Sequence, residues 1–115
     1  MIVQAKEYSV LFDAEAARIT FSGQMRLRSA REYDDIKALL RQALAQRSPH
    51  LVLDFRELEY LNSSGIGTIG QFLVEARQAA STQIALQGSA LRPWQARSLG
   101  TLQRIWDQVQ LTIDE

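Results

Sequence analysis

Residues 50–77 read HLVLDFRELEYLNSSGIGTIGQFLVEAR, and the fold follows from how this stretch divides. Leu51-Val52-Leu53-Asp54-Phe55 is short and nearly all apolar. That is the pattern of a central strand covered on both faces and flanked by other strands. Arg56 to Leu61 reads as a polar connection. From Asn62 onward the period changes. Ile66, Ile69, Leu73 and Ala76 recur at helical spacing, with Thr68, Gln71, Glu75 and Gln78 on the other faces. A helix therefore opens at Asn62-Ser63-Ser64-Gly65 and packs one apolar stripe on the sheet.

Toward the N-terminus, Tyr33, Ile36, Leu40, Ala43 and Leu44 mark an earlier amphipathic helix over residues 30–47. Ser29 followed by Glu32 has the form of a capping box, and Ser48-Pro49 ends that helix. Before it, Tyr8 to Phe12 and Ala17 to Gly23 alternate β-branched or aromatic residues with polar ones around Asp13-Ala14-Glu15-Ala16, an antiparallel hairpin. Gly23 is read as breaking the second strand. Toward the C-terminus, Gln83 to Gln87 is a strand and Gly88-Ser89 a turn. Pro93 opens a helix carrying Trp94, Leu99 and Leu102, and Trp106 to Ile113 supplies an edge strand. The order β-β-α-β-α-β-α-β predicts an α/β fold, a mixed sheet with an antiparallel start and helices packed against it.

At 115 residues and 46% hydrophobic content, the whole chain, residues 1–115, is expected to be one domain around one core. Thirteen basic residues balance 13 acidic ones, so composition supplies no pull toward nucleic acid or an anionic membrane. Cysteine is absent, which removes disulfides, thiolate catalysis and Cys-based metal sites. The stretch MIVQAKEYSVLF has no basic leader ahead of an apolar run, and no segment reaches the ~18 apolar residues of a membrane span. A cytoplasmic protein is expected; oligomeric state has no signature.

Several chemistries can be tested on the residues. Gly65-Ile66-Gly67-Thr68-Ile69-Gly70 matches G-x-G-x-x-G literally. A dinucleotide fingerprint, however, begins directly after a strand and places an acid about 20 residues on. Here Arg56 to Ser64 intervene, and nothing from Ala76 to Trp106 is acidic. The glycines are better explained by close packing of the helix, since glycine inside a helix otherwise costs about 1 kcal/mol. The lone histidine, His50, stands at a strand start outside any triad setting, and Asn62-Ser63-Ser64-Gly65-Ile66 lacks the G-x-S-x-G elbow. Asp34-Asp35 and Glu57-x-Glu59 provide too few ligands for a metal. Trp94 and Trp106 read as core or interface anchors. No catalytic residue, cofactor or metal is expected.

The strand ending in Asp54-Phe55, followed by Leu61-Asn62-Ser63-Ser64-Gly65-Ile66-Gly67 at a helix start, resembles the signature of the STAS domain family, whose members include bacterial anti-sigma factor antagonists. The element order is similar over essentially the whole chain. The resemblance implies a non-enzymatic regulator that a partner kinase, itself an anti-sigma-like protein, phosphorylates on the first serine of the pair. A phosphatase reverses the mark, and phosphorylation switches partner binding off. Ser63 holds that position, with Ser64 and Thr68 as the next hydroxyls. The first helical turn presents unpaired N–H groups and the positive end of the dipole, so a phosphate is tolerated there. The plainer alternative is that Asn62 or Ser63 simply caps the helix, worth about 1 kcal/mol.

Three positions depart from the family's pattern. Asn62 stands where an aspartate commonly precedes the serine, Gln24-Met25-Arg26-Leu27-Arg28 stands where many members carry an acidic residue or two, and Trp94-Gln95-Ala96-Arg97 gives the last helix a bulky opening unlike that of the sporulation-type antagonists. They point to a divergent regulatory branch. The implied partner surface is Asn62, Ser63, Ser64, Gly65 and Ile66 together with Gln24, Arg26 and Arg28. Arg31 joins these arginines as a possible reader of phosphate, against the plainer reading of a solvated loop. Two other classes stay open: a constitutive scaffold using the same surface, and a serine hydrolase or nucleotide-dependent enzyme.

Overall fold

Alternation along the strands decides which way the sheet faces. A computed structural model describes residues Met1–Glu115. The chain runs β1 (Ile2–Gln4), β2 (Tyr8–Asp13), β3 (Arg18–Met25), α1 (Ala30–Ala45), β4 (His50–Leu61), α2 (Ser63–Ala79), β5 (Gln83–Ser89), α3 (Pro93–Gln103) and β6 (Gln110–Asp114). The six strands form one sheet in sequence order. β1, β2 and β3 pair antiparallel, and β3 to β6 pair parallel through the three helices. This is the mixed α/β sheet with an antiparallel start that the sequence predicts, with one short strand, β1, added at its edge.

Val10, Phe12, Ile19, Phe21, Leu51, Leu53, Phe55, Ile84 and Leu86 all point to one side. There they meet Ile36, Leu39 and Leu40 of α1, Ile69, Phe72 and Leu73 of α2, and Leu99 and Leu102 of α3, in one apolar core. Phe21 and Phe55 stack with ring centroids 4.5 Å apart. The opposite side carries Ser9, Thr20, Ser22, Val52, Asp54, Ala85 and Gln87, so the strand expected to be covered on both faces is covered on one. Val52 is half-buried among sheet neighbours, and Asp54 is buried by arginines rather than by a helix.

The expected connection Arg56–Leu61 is strand, and Gly23 does not end β3. Thr20 pairs with Asp54 but Ser22 pairs with Glu57, and Gly23 pairs with Leu58 but Gln24 with Tyr60. Each step inserts one extra residue into β4, a bulge. Phe55, Leu58 and Leu61 consequently face the core at a spacing of three, which conceals the strand period from pattern reading. Gly23 adopts φ +88°, and a Cβ there would overlap the Glu7 carbonyl, so glycine is required while the strand continues to buried Met25. The last strand begins at Gln110, not Trp106. Residues 104–109 form turns, with Val109 N–H bonded to Trp106 O at 3.0 Å.

β5 pairs with β4 only as far as Gln87 opposite Asp54. Beyond that point α3 side chains serve β4. Gln95, fully buried, donates from Nε2 to Phe55 O (2.6 Å) and Leu58 O (2.9 Å) and accepts the Ser89 N–H at 2.8 Å. Trp94 Nε1 donates to Glu59 O at 2.9 Å. Trp94 and Gln95 at the start of α3 thus complete the bulged strand.

Candidate functional site at the start of α2

Asn62 and Ser63 are adjacent and do opposite things. The Asn62 side-chain oxygen accepts the Gly65 N–H at 2.9 Å, capping α2, and the Leu27 N–H at 3.3 Å. Its Nδ2 donates to Leu27 O at 3.0 Å. Two backbone donors and one backbone acceptor fix which side-chain atom faces which. An aspartate could cap the helix but could not donate to Leu27 O. The amide therefore clamps the β3–α1 loop onto the start of α2.

Ser63, the first residue of α2, is exposed and its hydroxyl makes no hydrogen bond within the protein. Ser64 is exposed beside it, and its carbonyl accepts from Thr68 Oγ1 at 2.9 Å. Thr68, placed by the sequence pattern away from the apolar stripe, is buried. Gly65 is buried, where a Cβ would overlap the Leu61 side chain, and Ile66 is half-buried against the core. Of the glycines expected to allow close approach, Gly70 does so against Ile105. Gly67 has nothing near it and faces open space. The first turn of α2 holds no acidic residue, so the positive end of its dipole is uncompensated.

The β3–α1 segment is tied to this turn through Asn62, and none of its arginines is bonded to Ser63. Arg26 sits over the Tyr60 ring at 4.6 Å, donates to Gln24 Oε1 at 2.7 Å and lies 3.7 Å from Glu7. Arg28 and Arg31 are exposed, and neither side chain has a bond within the protein. Ser29 accepts the Glu32 N–H at 3.2 Å, while Glu32 takes the Arg28 N–H at 3.1 Å, one residue further out than the capping box expected. That backbone bond, with a hydrogen bond from Tyr8, holds Glu32 below the usual carboxylate range against the opposing effect of burial. Burial and the facing Glu32 push Tyr8 up to about 12.

On the open sheet face lies a polar network that pattern reading did not identify. Asp54 accepts the Arg56 backbone N–H (3.0 Å), Arg56 Nε (3.0 Å) and Nη2 (2.9 Å), and Arg18 Nη1 (2.8 Å). Arg56 reaches Asp114 at 3.1 Å, and Gln87 bridges Arg18 to Asp114. Burial raises the Asp54 pKa, but the Arg56 hydrogen bonds and the charges of both arginines outweigh it and hold the carboxyl below its ordinary value. The signal available in sequence was a lone acid inside an apolar strand, which demands a cationic partner. His50 is exposed at the start of β4.

The STAS domain family model matches residues 18–111. The chain belongs to the STAS domain family. Apo-SiaC from Pseudomonas aeruginosa has a similar fold, with a TM-score of 0.74 and 20% identity over 100% of this chain and 98% of that one. A chain in the complex of the diguanylate cyclase SiaD with its activator SiaC, from the same organism, gives a TM-score of 0.75 and 19% identity, covering 99% and 98%. No curated protein sequence matches the chain. Within this STAS domain, the motif serine pair opens α2 on the surface. No helix is long and apolar enough to cross a membrane.

Proposed function

We propose that this STAS domain is a non-enzymatic signalling regulator that binds a serine protein kinase of the anti-sigma type and is switched by phosphorylation of Ser63. The observation that carries the reading is the division of labour at the start of α2. Asn62 takes the capping role, and that leaves the Ser63 hydroxyl exposed and unbonded at the positive end of a helix. A phosphate there adds charge to the docking surface without disturbing the cap, and repels or recruits a partner. Ser64 is the second choice, and buried Thr68 the third. A phosphatase restores the unmodified state.

The regulated target need not be a sigma factor. SiaC is an activator of a diguanylate cyclase, so an enzyme of nucleotide signalling belongs in the set of targets to be tried. The test is incubation with ATP and candidate kinases, with phosphate located by mass spectrometry. Modification only at Ser64 or Thr68, or nowhere, overturns the assignment of Ser63. Replacement of the family's aspartate by Asn62 supports a second reading, a scaffold that uses the same surface constitutively. In that case Ser63→Ala and Ser63→Glu bind partners as the wild type does.

A further inference from the structure

Beside the α2 start, an open groove of about 460 Å³ lies between α1 and α2. Tyr33, Lys37 and Arg41 form its α1 wall, and Ser64, Gly67 and Gln71 its α2 wall. Apart from Tyr33 and Gly67 the lining residues are polar or charged, which suits a charged side chain carried on an aliphatic stem. Its cations are not equivalent. Arg41 is committed to Glu75 by two hydrogen bonds of 3.0 and 3.1 Å. Lys37 holds no hydrogen bond or ion pair, and its charge reaches Glu75 only as a minor contribution to the lowered pKa of that carboxyl.

That makes Lys37 an exception in this molecule. Five cations are half-buried: Arg18, Arg26, Lys37, Arg56 and Arg92. Four of them hydrogen-bond to a carboxylate, side-chain amide or backbone carbonyl. Lys37 alone makes no bond, its stem lying along the groove wall without a partner for the ammonium. Opposite it, Gly67 carries no side chain, and a Cβ built there meets nothing within 4 Å. Glycine in the middle of a helix costs about 1 kcal/mol relative to alanine, and this one gives no internal contact in return. An open slot whose one cation without a hydrogen bond or ion pair is Lys37 is complementary to one carboxylate.

We propose that the α1–α2 groove receives an acidic side chain, Asp or Glu, of the partner protein, with Lys37 as its counter-ion and Gly67 keeping the slot open. This deepens the reading of the α2 start as a docking surface and rests on it for the nature of the partner. The ¹⁵N-labelled protein is titrated with a capped hexaglutamate peptide, and with capped hexalysine at matched ionic strength. Hexaglutamate is expected to give saturable shifts at the Lys37, Gly67 and Gln71 amides. Lys37→Glu and Gly67→Leu each weaken the response at least tenfold, and Gly67→Leu also raises the Tm because leucine is the better helix former. Shifts centred on Arg28 and Arg31, an equal response to hexalysine, or full binding by both variants overturns the proposal. Lys37→Glu is a surface change that keeps the test decisive if the leucine variant misfolds. Phosphate on Ser63 is located by mass spectrometry and groove binding is read by titration of the unphosphorylated protein, so failure of the Ser63 switch and failure of the groove are read separately.

Discussion

The two halves of β4 are built on different terms. From His50 to Asp54 the strand is paired in register to β5, and from Val52 to Asp54 to β3 as well, through backbone hydrogen bonds. From Phe55 to Leu61 it is bulged against β3 and has outrun β5, and side chains of α3 supply partners for its carbonyls. The first half would form in any sheet of this composition. The second depends on a few side chains distant in sequence, and it is the half that delivers Asn62 and Ser63 to the surface. Precise presentation of the candidate site therefore rests on the less regular part of the strand.

Removing Gln95 is the harshest way to break this contrast. Gln95→Leu keeps the volume but leaves the Ser89 N–H and two β4 carbonyls buried without partners. At 1–3 kcal/mol for each buried orphan, and allowing for relaxation, the expected loss is about 3 kcal/mol, read as a lower midpoint in urea. Hydrogen exchange should rise in residues 55–61 more than in 51–54. Equal rises in both halves would erase the distinction.

Asp54 stands at the junction, and its effect is smaller because Arg18 and Arg56 reach solvent, which screens the pairs. Asp54→Asn is expected to cost about 1–2 kcal/mol at pH 7. A depressed folded-state pKa contributes stability that is fully present above the unfolded value. That stability fades as pH falls through the folded one. The wild type should lose Tm below about pH 4, near the ordinary carboxylate pKa, and Asp54→Asn should lose less over the same range. Parallel Tm curves for the two proteins would remove the network from the account.

The same contrast explains what was legible. The first half of β4, the helix stripes and the order of elements follow from period and capping, because local pattern and tertiary environment agree there. The second half reads as a connection because two bulges space Phe55, Leu58 and Leu61 by three. Gly23 reads as a break because pattern alone does not separate a bulge from a stop. Thr68 reads as solvent-facing from its polarity, yet its hydroxyl is satisfied by Ser64 O within the helix and can be buried. The candidate site was visible as a motif. What sequence left open was which of Asn62 and Ser63 performs the cap, a choice made by the Leu27 backbone, 35 residues from Asn62.

That choice gives the smallest effects and the sharpest comparison. Asn62→Asp retains the cap and gains a favourable charge at the helix start, but it sets a carboxylate oxygen against Leu27 O. A net loss of about 1 kcal/mol is expected, with faster exchange in the Arg26–Ser29 loop. Asn62→Ala removes cap and clamp together and should cost at least as much. Ser63→Ala, one residue on, should change stability by less than about 0.5 kcal/mol, because an exposed hydroxyl without a partner contributes little. If thermal denaturation instead shows Ser63→Ala losing as much as Asn62→Ala, then Ser63 shares the cap. Its hydroxyl would not then be free to carry a phosphate at no cost to the fold.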